Sequence, residues 1–399
     1  MTVQDHPLPL GAPICDGLTV VEIAEDPAGE LTGKLLAQYG ARVTKVEPPE
    51  GSPTRQIGPF AGGEQTPDTS LTFWYYNTSK RSAKASLPGD QEMLDGHLRD
   101  ADVLILSLTP ARQQELGVHP AVLAARHPRL VVCAITPFGQ DGPWSGYANS
   151  DLVALAAGGL LNSCGYDDHS IPPIRPAENQ AYHVAASFAH ISIFLALIER
   201  QQTGSGQVID VSVHDCVAVS PELANPYWFY PKALVKRQTC RHAQPSPTQP
   251  ALFSTLDGRY VYFALILGDI KPWQNLIEWM DGFGMAADLT DAGYQEVSFR
   301  QANFPHIQQM IEAFFMVQDA TTIYHEGQAR GLPIAVVNSP DDVLEDEHLA
   351  ARGFFETVAL PDGRPAVFPG APIRFSAHPA VAQSHAPLLD GGDEPPPAK

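Results

Sequence analysis

The densest run of chemically capable side chains lies between Arg175 and His190. Glu178, Asn179 and Gln180 stand directly before a helical stretch that starts at Ala181. The amides of Asn179 and Gln180 can hydrogen-bond a carbonyl oxygen and polarise it, but neither is a nucleophile. Glu178 can act on a bound group only if the helix start brings it forward. The ordinary use of such a carboxylate is to cap the helix or to pair with Arg175. His183 and His190 lie on the helix itself, where most histidines are structural. Asp151 opens an earlier apolar helix and is a further acidic candidate.

Arg55, Lys80 and Arg81 form a second group, of cations. Arginine can hold a phosphate through two parallel bonds, and lysine acts as a point charge. Their alternative is to be ordinary surface cations. Pro27-Ala28-Gly29 follows an apolar strand and opens a helix. Such a turn presents backbone N–H groups to an anion, and small residues let a ligand approach the main chain. Asp269 follows Gly268 and either faces a cleft or caps the next helix. No spacing of His and Cys suits a metal, and no GxGxxG or Walker sequence occurs.

The elements that position these groups read as α/β. Leu18–Ala24, Ala41–Val46, Ala101–Leu106 and Leu130–Ile135 are apolar strands, with helices at Glu30–Tyr39 and Pro120–Arg126. That alternation implies an open, mostly parallel, Rossmann-like sheet. Asp151–Leu161 and Ala181–Gln201 read as helices, and Gln207–Val213 as a strand. The longest apolar run, Val184–Ile198, contains His190 and is shorter than a bilayer span. Lys236–Gln249 reads as a polar loop and Ala251–Leu267 as a hairpin turned at Asp257-Gly258. Helices are expected at Pro272–Phe283, His306–Val317 and Ala320–Arg330, a strand at Ile334–Val337, and a helix start at Ser339. The tail after Gln383 is expected to fray. The expected domains are a large α/β one, residues 1–222 and 335–399, and a small α+β one, 223–334.

The chain has 399 residues, 18% charged, and a net charge of −20. That balance argues against a nucleic-acid partner, which needs clustered Lys and Arg. It leaves room for a small anionic ligand held by a few cations. Five scattered cysteines without a CxxC pair fit reduced thiols and a cytoplasmic location. The first residues carry neither a basic start nor an apolar run, so no signal peptide or membrane partner is expected.

Five stretches, in order, resemble the class III (CaiB/BaiF, formyl-CoA transferase-like) CoA-transferases. They are residues 18–55, the run Asn77-Thr78-Ser79-Lys80-Arg81-Ser82, PFGQDGPWSGYANSDL (137–152), TGSGQVIDVSVHD (203–215), and 330–355 with PGAPIRFS (369–376). The resemblance implies an intertwined dimer with a CoA thioester as substrate and no metal. Ala28, Gly29, Arg55, Lys80 and Arg81 would then lie at the CoA site. In the family an aspartate at the helix start attacks the thioester and becomes an acyl anhydride, splitting one hard step into two. The matching place here is Ala181, or Tyr182 with one residue fewer in the helix, and neither can form an anhydride. A racemase branch uses a His–Asp pair, and the matching residues here are Ser150 and Asp151. Serine without an activating partner is no base.

Three functions compete. The chain is the Asp-less subunit of a heteromeric transferase moving CoA between carboxylic acids, such as from succinyl-CoA to an aromatic or other organic acid. Or it is a homodimeric acyl-CoA lyase or isomerase using Asp151, Glu178 or Asp269, with Gln180 polarising the carbonyl. Or it is a non-catalytic CoA-binding scaffold. The aromatic stretch Pro221–Tyr230 either lines an acyl pocket or packs in a core or dimer contact.

Overall fold

The computed structural model describes residues 11–221, 223–265 and 268–389. They form two units. The larger comprises residues up to Leu160, Pro176–Ser220 and Asp346 onward, and the smaller Leu161–Arg175 with Pro221–Glu345. The segments 161–175 and 335–345, which the sequence reading gave to the large domain, therefore lie with the small unit.

The larger unit is built on a six-stranded, all-parallel sheet in the order β3-β2-β1-β4-β5-β6. The strands are β1 (Thr19–Ala24), β2 (Arg42–Glu47), β3 (Arg81–Lys84), β4 (Val103–Ser107), β5 (Val131–Thr136) and β6 (Val208–Ser212). Every residue of β4 and β5 is buried, as expected for central parallel strands covered on both faces. The order reverses between β1 and β4, the arrangement that opens a crevice at the carboxyl ends of the strands.

The helices of this unit are α1 (Pro27–Gln38), α2 (Leu71–Asn77), α3 (Gln91–Arg99), α4 (Pro110–Glu115), α5 (Pro120–Arg126), α6 (Asp151–Ala157), α7 (Gln180–Thr203) and α8 (Val213–Val219). Leu94 and Leu98 of α3 and Leu123 of α5 pack with Val21, Leu104, Leu106 and Val132 from the sheet. α1 and α7 pack against each other, and α7 also meets α6, α8, β5 and β6. α1 starts three residues earlier than the sequence predicts. Pro27 sits at its first position, where no N–H is needed, and Asp26 caps it.

α7 extends the predicted apolar run to 24 residues and ends at Gly204 in the left-handed conformation. By length and composition alone this helix could cross a membrane, its most apolar 18-residue stretch having a mean hydropathy of 1.7. Ala181, Ala185, Ala189, Ile193 and Ala196 face inward, whereas Phe188, Ile191, Leu195 and Ile198 form an exposed stripe at helical spacing.

The smaller unit holds α9 (Ala224–Phe229), the hairpin β7 (Lys236–Gln238) and β8 (Arg241–Gln244), and a three-stranded antiparallel sheet. That sheet is formed by β9 (Leu252–Ser254), β10 (Tyr260–Phe263) and β11 (Ile334–Val336). The β7–β8 hairpin corrects the polar loop predicted for Lys236–Gln249. Its strands lack aliphatic alternation and are held by Gln238, which binds His242, Arg241 and Thr248. The hairpin at Asp257-Gly258 forms as predicted, although residues 266–267 lie outside the described ones. α10 (Ile270–Asp281), α11 (Val297–Ala302), α12 (Phe304–Phe315), α13 (Ala320–Ala329) and α14 (Pro340–Leu344) complete this unit around Trp273, Trp279, Phe314 and Phe315. Ser339 and Asp342 form a reciprocal capping box at α14. The chain then returns to the larger unit with α15 (Glu347–Ala351) and the pair β12 (Phe355–Ala359) and β13 (Pro365–Pro369).

Candidate active site

The start of α1 does not present free N–H groups. Asp26 Oδ1 accepts from the N–H of Ala28 at 2.9 Å and of Gly29 at 3.3 Å, and Ser107 Oγ donates to it at 2.7 Å. The chain's own carboxylate thus fills the position expected for a phosphate, and burial raises its pKa to about 6 against the pull of these bonds. The small size of Ala28 and Gly29 serves packing. A Cβ on Gly29 would lie 2.4 Å from Ser107 Cβ and 2.8 Å from Ala24 Cβ. Ala28 is fully buried, and Gly29 allows close helix-on-sheet contact.

Arg55 and Lys80 are enclosed by protein partners. Both are fully buried, and every donor is spent. Arg55 Nε and Nη2 each donate at 2.8 Å to Glu47, Nη1 donates to Asp68 and the Pro67 carbonyl, and Nη2 also donates to the Pro387 carbonyl. Lys80 Nζ donates to Glu22 at 2.8 Å, to the Glu30 carbonyl at 2.7 Å and to Asn77 at 2.9 Å. Guanidinium offers five N–H and ammonium three, so neither group has a donor left for a phosphate. Lys45 joins them, pairing with Glu22 at 3.2 Å and Glu30 at 2.9 Å. Burial alone would raise the Glu47 pKa. The Arg55 bonds and the charges of Lys45 and Arg55 bring it down to about 2. Gly33 makes room for this network, since a Cβ there would stand 2.0 Å from Glu22 Oε2.

Arg81 lies on β3, half-buried, and makes no ion pair among the described residues. The segment after Gln383, expected to fray, is stitched down as far as Leu389. Ser384 exchanges bonds with Ser79, and the Leu389 N–H reaches Asp68 at 2.9 Å. Residues 390–399 lie outside the described ones.

Different groups gather at the start of α7. Asp151, nearly fully buried, accepts the Ala181 N–H at 2.8 Å, so this candidate serves as a cap for α7 contributed by α6. Ser150 caps α6 through the Val153 N–H. Gln180 turns back to the Ala177 carbonyl at 3.1 Å. Glu178 is exposed just before the helix at φ 63°, a left-handed conformation that non-glycine residues rarely hold. Asp269 caps α10 through the Lys271 N–H.

The sequence reading did not assign a role to the hydrogen-bond chain beside these residues. Asn179 Nδ2 donates to Tyr76 Oη at 3.2 Å, and Tyr76 Oη meets His183 Nε2 at 2.7 Å. Burial lowers the His183 pKa and raises that of Tyr76 to about 12. The two groups therefore meet in their neutral forms, as phenol and imidazole. Lys34 Nζ donates to the Tyr75 carbonyl at 2.7 Å and sits 3.8 Å over the Tyr75 ring. Burial, and then Lys80, lower its pKa to about 7. Tyr182 is half-buried, and burial together with Asp26 and Asp151 raises its pKa. Tyr76 and Lys34 carry no sequence signal, because both lie far from α7 along the chain.

A separate pocket of about 320 Å³ opens at the carboxyl ends of the strands. Glu25 follows β1, Glu47 and Pro48 end β2, Ser86 and Leu87 follow β3, and Arg112 comes from α4. It lies over the carboxyl ends of β1, β2 and β3, with α4 on one side, on the face where open parallel sheets bind ligands.

The profile of the CoA-transferase family III matches residues 15–394. The chain belongs to this family. It is 30% identical over 361 residues to a subunit of the succinyl-CoA:(R)-benzylsuccinate CoA-transferase of Thauera aromatica, covering 88% of this chain and 86% of that one. It is 26% identical to the beta subunit of the succinyl-CoA–L-malate CoA-transferase of Chloroflexus aurantiacus, covering 94% and 90%. The crystal structure of a CaiB/BaiF family protein from Brucella suis superposes with a TM-score of 0.81 at 27% identity, over 96% and 97% of the two chains. The protein is a class III CoA-transferase, an enzyme family whose substrates are CoA thioesters.

Proposed function

We propose that this chain is one subunit of a heteromeric class III CoA-transferase that moves CoA between two carboxylic acids, with the attacking carboxylate on a related partner chain. The observation that carries this reading is the first turn of α7. Its residue Ala181 is buried, and its N–H is held by Asp151. Neither Ala181 nor Tyr182 carries a carboxylate to form the acyl anhydride, and Asp151 is engaged as the cap. The likeness to subunits of two transferases supports it, as does the exposed apolar stripe on α7, which a second chain would cover. The nucleotide end of CoA would occupy the crevice at the strand ends. Glu25 or Glu50 would accept a ribose hydroxyl or an amine there, and Arg112 would face the phosphates.

The test is native mass and transfer activity of the protein purified from its own cells. The reading expects a complex with a homologous chain carrying an aspartate at this turn, active only as the complex. A pure homodimer with full transfer activity overturns it. The Asn179–Tyr76–His183 chain favours a second reading, non-covalent proton transfer beside the thioester carbonyl. That reading requires the single chain to turn over an acyl-CoA and to lose the activity in His183→Gln.

A further inference from the structure

A second pocket of the larger unit, about 440 Å³, lies between the end of α15 and the segment after β13. Arg352 and Arg374 both line it. Both are exposed, and among the described residues neither side chain makes a hydrogen bond or an ion pair, whereas Arg55, Arg112, Arg200 and Arg241 are all paired. The Arg374 guanidinium lies beside the turn that follows Arg352, with Nη2 4.0 Å from where a Cβ on Gly353 would stand. The carboxylate in the lining, Glu356, already accepts the Gln383 N–H at 3.0 Å. Two cations with open donors therefore share a pocket in a chain whose net charge is −20.

The walls are apolar and braced. Phe354, Ile373 and Phe375 line the pocket. Tyr39 holds Ile373 from both sides, its Oη accepting from the Ile373 N–H at 2.9 Å and donating to the Ile373 carbonyl at 3.1 Å. The Tyr39 ring packs edge-on to Phe375 at 5.6 Å. The Gly370 N–H reaches the Phe354 carbonyl at 2.7 Å, and His378 donates to the Ala12 carbonyl at 2.7 Å. The pocket is open to solvent, with Ile373 52% and Phe375 38% exposed, and a concavity of this size with apolar rings and two cations in its lining suits a small organic anion. Two guanidinium forks match two carboxylates.

We propose that Arg352 and Arg374 form a binding site for a small dicarboxylate with an apolar or aromatic body, separate from the site of the thioester. The site does not depend on which chain carries the nucleophile. The protein's overall negative field repels dianions, so affinity must come from these local cations and the ring walls.

The test is calorimetric titration of the purified protein with phenylsuccinate, succinate and inorganic phosphate. Phenylsuccinate is expected to bind saturably and more tightly than succinate, because the phenyl group meets Phe354 and Phe375. The double variant Arg352→Gln/Arg374→Gln should bind it at least about tenfold more weakly, with an unchanged melting temperature and unchanged CoA affinity. Arg81→Gln, which removes another cation without an ion pair, should leave phenylsuccinate affinity as it was. Unchanged affinity in the double variant overturns the proposal. So does phosphate binding as tightly as phenylsuccinate, which would leave no role for the apolar walls. Loss of CoA binding in the double variant also overturns it, because the pocket would then belong to the thioester site.

Discussion

Two polar regions border α1, and they differ in how many of their hydrogen-bonding groups are spent. Against the sheet, Glu22, Glu30 and Glu47 face Lys45, Lys80 and Arg55, all fully or almost fully buried. There Arg55 and Lys80 use every donor on protein acceptors. At the start of α7, Asn179, Tyr76 and His183 form an open chain whose last member is half-buried and carries no ion pair to Tyr76 or Asn179. The first region has charge without availability, and the second has availability without formal charge. Motif residues are thus no guide to reactivity on their own, because a saturated buried ion can neither bind nor transfer anything.

The comparison breaks most readily at Arg55. Arg55→Ala removes the direct cation partner of buried Glu47 and of Asp68 and the bond to the Pro387 carbonyl. Removing one partner of a buried pair costs about 3–5 kcal/mol, so the urea midpoint should fall sharply. A variant with native stability and weakened CoA binding would restore Arg55 as a ligand contact.

Acid titration probes the same region with a somewhat smaller effect. The folded pKa of Glu47 is depressed from 4.5 to about 2. Between those values the unfolded chain binds more protons than the folded one. The stabilisation from Glu47 is therefore complete above about pH 4.5 and lost as pH falls toward 2, on the order of 3 kcal/mol in all. Asp26 has the opposite sign. Its folded pKa is raised from 3.8 to about 6, so its contribution falls as pH rises through that window. Urea unfolding at pH 5 and pH 3 should show Glu47→Gln losing less stability on acidification than the parent. Equal losses would remove Glu47 from the network.

The smallest effect is expected at the start of α7. Tyr76→Phe removes the hydroxyl between Asn179 and His183 and should cost about 1 kcal/mol. A loss as large as that of Arg55→Ala would erase the distinction between the two regions.

Much of the architecture was legible from local pattern. The apolar runs ending at Ala24, Val46, Leu106 and Ile135 became β1, β2, β4 and β5 within a residue or two, because buried parallel strands read as continuous apolar stretches. The β7–β8 hairpin was not legible, since its pairing rests on the Gln238 side chain and not on alternation.

The sequence by itself determined the family, the parallel α/β sheet, and the absence of an acid at Ala181 and Tyr182. Each of these is written in residue identity and short-range order. Only the tertiary structure decided that Asp151 is a helix cap, that Asp26 fills the start of α1, and that Arg55 and Lys80 are sealed inside while Arg352 and Arg374 stay open. A charged residue has the same letter whether its donors are spent or free. That is settled by partners such as Glu47 and Pro387, which only folding brings together.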